Sequence, residues 1–290
     1  MRLAFLGVAG ALPAAGHSNV SFVVTAGAAT AGATALVDCS GTPAAALEQL
    51  GVCPTEIDSV ILTHAHTDHL YALPSLMHAQ LMLGRSARLT LAGEPAALQR
   101  ARALLDAAGL LERAESFGIA WHDLSRSELR LAAREMGADG AGRSGDATAE
   151  LCFRSFAVEH SVPTLGLLIE HRSVQNTTRI CYSGDTRPCE AVAVNARGAA
   201  LLIHEASGLA DEESELNAAG HSSARQAAAA AAAAGVRQLQ LVHLPPWGLN
   251  GGESRFLSEA RTALARTALA RAAFDGDVAI PQTGRWFDVS

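Results

Sequence analysis

The run His64-Ala65-His66-Thr67-Asp68-His69 sets four metal-ligating side chains within six residues. Imidazole nitrogen and carboxylate oxygen are ligands for first-row divalent ions, and zinc suits them well. The run follows directly on Ser59-Val60-Ile61-Leu62-Thr63, a β-branched stretch that reads as a strand. A strand-to-helix turn can aim all four groups into one cavity. His64 and His66 would bind one ion, while Asp68 and His69 turn towards a second. Without metal, so dense a polar cluster would be costly to bury. The chemistry this pattern points to is metal-assisted hydrolysis.

Three more ligand-type residues stand beyond the run. His160 follows Phe156-Ala157-Val158-Glu159, Asp185 lies in Tyr182-Ser183-Gly184-Asp185-Thr186, and His243 ends the apolar stretch Leu239 to Val242. Each falls at the carboxyl end of a predicted strand, where the loops of a layered α/β fold gather to form a site. Singly, each reads as a structural polar residue; as a set with the histidine run, they read as ligands.

The elements that must carry these groups alternate between strand and helix. Leu3 to Leu6, Ser21 to Thr25 and Ala35 to Asp38 are short apolar runs bounded by Gly, Ser and Asn, as strands are. Pro43 to Leu50 reads as a helix with Thr42 at its cap, and Leu70 to Leu83 as the helix after the histidine run. Arg88 to Leu91 is a strand, and Glu94 to Ala108 an amphipathic helix with Pro95 near its start. Further on, Leu151 to Val158, Thr164 to Glu170, Arg179 to Tyr182, Ala200 to Ile203 and Gln238 to Val242 read as strands. Ser223 to Ala234 is an alanine-rich helix, its Ser223 and Gln226 spaced as a capping box. Glu253 to Ala273 is helical and carries a tandem Thr-Ala-Leu-Ala-Arg duplication. The stretch 137–148, rich in Gly, Ala, Asp and Ser, reads as a flexible solvent loop and the best place for a domain boundary. Motifs on both sides of it serve one site, so residues 1–290 are expected to form a single domain.

Composition narrows the class. Of 290 residues, 49% are hydrophobic and 18% charged, enough apolar material for a sizeable core. The net charge of -7, with arginine as the only strong cation, lowers the expectation of a nucleic-acid binder without excluding a local basic patch. Five scattered cysteines with no C-x-x-C pair fit free thiols in a reducing compartment, which points to the cytoplasm. Met1 to Leu12 has the outline of a short signal peptide. Its single positive charge and its glycines fit a first core strand and a glycine-rich turn better. No stretch reaches the ~18–20 apolar residues of a membrane span, so a soluble protein is expected.

In these motifs the chain resembles the metallo-β-lactamase superfamily, and within it the ribonuclease Z-like branch. The resemblance rests on Phe5-Leu6-Gly7 with Pro13 and Asn19-Val20-Ser21, on Leu62 through His69, on Val158-Glu159-His160-Ser161-Val162-Pro163 and on Tyr182 through Thr186. It continues through Leu202-Ile203-His204-Glu205-Ala206, Gly220-His221-Ser222-Ser223 with Gln226-Ala227, and Leu241-Val242-His243. The resemblance implies a four-layer αβ/βα sandwich with a dimetal site at one edge. It implies His64, His66 and His160 on a first zinc, Asp68, His69 and His243 on a second, and Asp185 bridging both, with manganese or iron as alternative metals. Two ions roughly 3.5–4 Å apart can hold a hydroxide nucleophile and stabilise charge on a phosphoryl group. Asp68 could orient or deprotonate that water. Glu205 and His221 match the pair thought to protonate the leaving oxygen, or else support the ligands through hydrogen bonds. His204 reads as a supporting residue, and His17 as a candidate for the site mouth. His78, His122 and His171 read as ordinary polar positions.

Two departures bear on the substrate. The tRNA 3′-processing enzymes of this branch carry a protruding arm between the motifs matching His160 and Asp185, and here positions 160 and 185 are only 25 apart. Leu244-Pro245-Pro246-Trp247 also replaces the Phe-Ser-x-Arg-Tyr type of sequence expected after His243. The first expectation is therefore a dizinc phosphodiesterase acting on a small or single-stranded phosphodiester, with stable tRNA binding disfavoured. The alternatives are a tRNA 3′-endoribonuclease, an ester or lactone hydrolase, and a non-catalytic metal-binding partner protein. A substrate panel with and without chelator separates them. Relatives of this kind suggest a homodimer, and no membrane partner is expected.

Overall fold

The computed structural model describes residues 1–26, 32–132, 135–136, 142–143, 149–266 and 277–290. The first sheet is built from Arg2–Gly7 (β1), Ser21–Thr25 (β2), Thr34–Val37 (β3), Ser59–Leu62 (β4), Leu89–Gly93 (β5) and Ile119–Asp123 (β6). Its helices are Pro43–Gln49 (α1), Leu73–Met82 (α2) and Pro95–Ala107 (α3). Leu129–Ala132 (β7) opens the second half, and Glu135–Met136 (β8) pairs with Gly142–Arg143 (β9) as a small antiparallel ribbon. Ala149–Ala157 (β10), Leu165–Ser173 (β11), Thr177–Tyr182 (β12), Leu201–Glu205 (β13), Gln238–Val242 (β14) and Asp277–Ala279 (β15) complete the second sheet. Its helices are Glu190–Asn195 (α4), Glu213–Ala219 (α5), Ala224–Ala234 (α6), Pro246–Leu249 (α7) and Glu253–Arg266 (α8). The last strand, Trp286–Asp288 (β16), returns to the edge of the first sheet against β1.

The two seven-stranded sheets have matching plans. The first runs β16-β1-β2-β3-β4-β5-β6 and the second β15-β14-β13-β12-β11-β10-β7. In each, an antiparallel part joins a parallel part, at β3–β4 and β12–β13 respectively. Side-chain alternation makes the layers. Leu3, Phe5, Phe22 and Val24 pack into the core shared with the second sheet, while Ala4, Leu6, Val23 and Leu36 face the core under α1, α2 and α3. The ring of Phe22 meets Tyr182 edge-on at 5.2 Å, joining the sheets through their centre. Buried alanines of α6 and the apolar stripe Phe256, Ala260 and Leu264 of α8 cover the outer face of the second sheet. The architecture is the four-layer αβ/βα sandwich.

Several boundaries depart from expectation for physical reasons. The helix after the histidine run does not begin at Leu70. A 3-10 turn takes Thr67–His69, and α2 starts at Leu73, because Pro74 is tolerated only in a first turn. Strands β6, β15 and β16 carry weak sequence signals: β6 is half-exposed along its whole length, and the other two are three residues each. Within the stretch expected to be a loop, Gly142–Arg143 is paired backbone, and the rest of 137–148 lies outside the described residues. The helix expected through Ala273 is described to Arg266, and the second copy of the duplicated pentapeptide lies beyond it. No helix among the described residues is long and apolar enough to cross a membrane.

Candidate metal centre

All seven expected ligands meet at one edge of the sandwich, and each arrives from an element end. Thr63 leaves β4, and its carbonyl accepts the Leu165 N–H at 3.1 Å, which ties the two sheets together beside the histidine run. His160 follows β10, Asp185 follows β12 and His243 follows β14. Two turns need unusual backbone. His243 holds φ +58°, a conformation a non-glycine residue keeps only when its surroundings impose it. Gly220 (φ +89°) lies so close to His160 that a Cβ there would fall 2.8 Å from the imidazole Nδ1.

The ligand atoms form two triads with a shared corner. His64 Nε2 and His160 Nε2 each lie 3.1 Å from His66 Nδ1. In the second triad His69 Nε2 is 3.3 Å and His243 Nε2 3.7 Å from Asp68 Oδ2. Asp185 Oδ2 sits 3.7 Å from His64 Nε2, 3.4 Å from His69 Nε2 and 3.1 Å from His243 Nε2, in contact with both triads. A tetrahedral shell with bonds of about 2.0–2.1 Å spaces its ligand atoms about 3.3–3.4 Å apart, so these separations suit divalent ions. His69 Nε2, His243 Nε2 and Asp185 Oδ1 are buried without a hydrogen-bond partner. In the Asp68 triad and at Asp185 these near contacts are not aligned as hydrogen bonds, as ligands aimed at a common point would show.

Supporting residues fix each ring. His160 Nδ1 donates to the Gly220 carbonyl at 2.8 Å, which leaves Nε2 for the centre. His69 Nδ1 donates to Asp38 Oδ2 at 2.8 Å. Asp38, in the left-handed region at φ +53°, also accepts from the Thr63 N–H and hydroxyl. Ser207 Oγ lies 2.9 Å from His243 Nδ1 and donates to Glu205 Oε2 at 2.7 Å. The hydroxyl of Ser40 donates to the Asp68 carbonyl.

Glu205 is fully buried and accepts the backbone N–H groups of Thr186 and Ser222 as well as the Ser207 hydroxyl. His221 Nδ1 lies 3.1 Å from Glu205 Oε1, and its ring is 4.8 Å from that of His160 and 5.2 Å from that of His243. The capping box holds this corner: Ser223 Oγ accepts the Gln226 N–H while the Gln226 side chain accepts the Ser223 N–H.

The two triads differ electrostatically. Burial, and next the charge of His69, pushes His64 well below the ordinary imidazole range, and burial likewise lowers His66 and His160. Burial opposes charge on His243 too, but Asp185 overcomes it and raises the imidazole to about 10. His69 is held well above its ordinary value in the same way, with Asp185 and Asp38 outweighing burial. Burial disfavours ionised Asp185 and Asp68, yet the neighbouring His243 and His69 hold both carboxyls down. Burial lowers His221, but the Glu205 carboxylate raises it by more.

The other histidines lie apart from the triads. His204 is buried and donates from Nδ1 to the Glu205 carbonyl at 2.7 Å, a supporting contact. His17 lines a separate cavity of about 640 Å³ with Leu249 and Arg285. His78 is exposed on α2, His122 lies on β6 near Ser127, and His171 is on β11. Asp38 and Ser207 escaped sequence reasoning. For Asp38 the available signal was a short polar residue ending a strand before Ser40-Gly41, where the left-handed region is accessible. Between His160 and Asp185 the chain forms the β11–β12 hairpin, leaving no protruding arm.

A family model described as the β-lactamase superfamily domain matches residues 34–244. The chain is 29% identical over 308 aligned residues to the ribonuclease Z of Myxococcus xanthus strain DK1622, covering 95% of this chain and 96% of that one. It is 27% identical over 270 residues to the ribonuclease Z of Methanothermobacter thermautotrophicus, covering 84% and 86%. Among solved structures, the metallo-β-lactamase fold protein YhfI from Bacillus subtilis superposes with a TM-score of 0.71 at 21% identity, covering 99% of this chain and 98% of that one.

Proposed function

This chain belongs to the β-lactamase superfamily and is a metal-dependent hydrolase, and from that premise we propose that its substrate is a small or single-stranded phosphodiester. The observation that carries the reading is the double triad sharing Asp185, with the His221–Glu205 pair beside it. In our reading His64, His66 and His160 hold one ion, Asp68, His69 and His243 a second, and Asp185 touches both. Two zinc ions there, with manganese or iron as substitutes, would supply Lewis-acid charge to phosphoryl oxygens and acidify the attacking water.

The chain's own residues provide the rest. Asp68 is the more accessible of the two carboxylates at the triads and orients the water for attack. His221 keeps one nitrogen on Glu205 and turns Nε2 towards the leaving oxygen, which an alkoxide leaving group needs protonated. Glu205, enclosed by four donors, does not meet substrate itself; it orients His221 and favours its charged form. Both relatives are named ribonuclease Z, which supports an RNA phosphodiester as the bond cut. The missing arm argues against tRNA as the polymer.

The test is hydrolysis of bis(p-nitrophenyl) phosphate by metal-loaded protein, with and without chelator, followed by cleavage of a precursor tRNA bearing a 3′ trailer. Chelator-sensitive diester hydrolysis with no specific trailer cleavage is the expected result. No chelator-sensitive turnover with zinc, manganese or iron would sink the phosphodiester reading, and efficient trailer cleavage would make the chain a tRNA-processing enzyme.

A further inference from the structure

The side chains of the centre are not equally covered, and the difference shows where a substrate can enter. His64, His69, Asp185 and His243 are buried, as is Glu205. His66, Asp68 and His160 are half-buried, and so is His221, whose side chain is 20% exposed. The open face of the centre is therefore the one these four side chains share. Ser161 belongs to that face. It is exposed, and its Oγ lies 3.5 Å from His160 Nε2, the ligand atom itself. A contact to the centre and access to solvent together fix its place.

The turn that carries Ser161 is held. The Val158 N–H donates to the Thr164 carbonyl at 3.3 Å and the Thr164 hydroxyl to the Val162 carbonyl at 2.9 Å, with Pro163 stiffening the backbone between them. On its other side the turn packs against Gly220, where a Cβ would fall 2.9 Å from the Ser161 nitrogen. Gly220 leads into His221, so the two turns that bound the open face brace each other. The Ser161 hydroxyl has no acceptor other than His160 Nε2 among the described residues, and at 3.5 Å that contact is long. His160 Nδ1 donates to the Gly220 carbonyl, so Nε2 holds the lone pair of the ring. When that lone pair goes to an ion, the Ser161 O–H loses its acceptor while its oxygen stays on a fixed turn. An exposed hydroxyl in that state is ready to donate to an arriving anion.

We propose that Ser161 is a catalytic residue of this centre, its hydroxyl donating to a non-bridging phosphoryl oxygen of the bound diester on the side of the His64, His66 and His160 triad. The proposal rests on the phosphodiester reading and deepens it. His221 serves the oxygen that leaves; Ser161 serves an oxygen that stays on phosphorus, where charge gathers in the transition state. A donor already in place there needs no reorganisation at the moment of reaction.

The test compares wild type with Ser161→Ala, which removes the hydroxyl, and Ser161→Thr, which keeps it. Metal content after dialysis should be the same in all three proteins. Calorimetric binding of inorganic phosphate to the zinc-loaded proteins gives a readout independent of turnover. S161A is expected to bind phosphate about tenfold more weakly, the loss of one hydrogen bond to a charged group, and S161T to stay close to wild type. Hydrolysis is then measured on bis(p-nitrophenyl) phosphate and on diphenyl phosphate, whose phenoxide is the poorer leaving group. S161A should lower kcat/KM on both by the same factor, about tenfold. Loss of metal from S161A, with normal phosphate affinity once the metal is restored, would make Ser161 a support of the His160 ring and overturns the role. A penalty confined to diphenyl phosphate also overturns it, because it would move the hydroxyl to the leaving oxygen. Unchanged phosphate affinity and turnover in S161A remove the role of Ser161 alone, since wild-type turnover still supports the phosphodiester reading. If wild type hydrolyses neither diester with zinc, manganese or iron, that reading falls and the proposal with it.

Discussion

Asp38 carries no mark in the spacing of the sequence, yet it receives three donors and sets the ring of His69. Ligand-type residues could be read from the chain because metal chemistry restricts their identity; a residue that orients a ligand is restricted only by position, which the fold supplies. Replacing Asp38 by Asn keeps the size and removes the charge behind His69. Metal affinity is expected to fall about 10–100-fold, measured as metal retained after dialysis, while the fold persists by circular dichroism. Unchanged retention would show that Asp38 serves the strand end alone. The two triads should also load differently with pH. His69 and His243 lie above the ordinary imidazole value in the metal-free chain, His243 at about 10, so at pH 7 both carry a proton that an arriving ion displaces. Loading of that triad should strengthen as pH rises towards 10, by about tenfold per unit for each proton displaced. His64, His66 and His160 lie below their ordinary value and have no proton to lose at pH 7. Calorimetric titration in two buffers of different ionisation heat should report about two protons released on filling both triads; release of none contradicts the assignment.

At the scale of elements, the placement of ligands at strand ends was legible because β4, β12 and β14 are short runs that stop at polar turns. What escaped was any strand without that contrast. Ile119–Asp123 is half-exposed throughout, and Trp286–Asp288 is too short to show a period. The turns themselves impose a second constraint, and Gly220 is the clearest case. Alanine there would have to hold φ +89° with its Cβ against His160 Nδ1 and the Ser161 N–H. Gly220→Ala should cost about 1–2 kcal/mol for the left-handed backbone and should also displace His160, lowering metal content at the first triad. Ser223→Ala is the control three residues on: it removes a helix cap worth about 1 kcal/mol and leaves His160 in place. Denaturation midpoints and metal stoichiometry, read together, separate the two. Equal metal content in both variants would show that the Gly220 turn yields without moving the imidazole.

The whole molecule is two sheets, and on the proposed reading of the centre a bound ion would help to fix their mutual position. His64, His66, Asp68 and His69 leave the first sheet, whereas His160, Asp185 and His243 leave the second, and few backbone bonds cross between them at that edge. Leu165 N–H to Thr63 and Gly10 N–H to Leu244 are two of these. An ion gripped by both sheets therefore acts as a cross-link, and its binding energy adds to stability by mass action. At a free metal concentration one hundred times its dissociation constant, one ion contributes about 2.7 kcal/mol. Chelation should accordingly lower the melting temperature, and the fall should diminish as the chelator is titrated back with zinc. It should also act locally. The amides of Leu165 and Gly10 should lose hydrogen-exchange protection, while the buried interface between Phe22 and Tyr182 keeps its protection. Uniform loss across both sheets would mean that the chain unfolds as one unit without metal. No loss at the edge would mean that the apolar core alone holds the sheets, with the ions serving only chemistry.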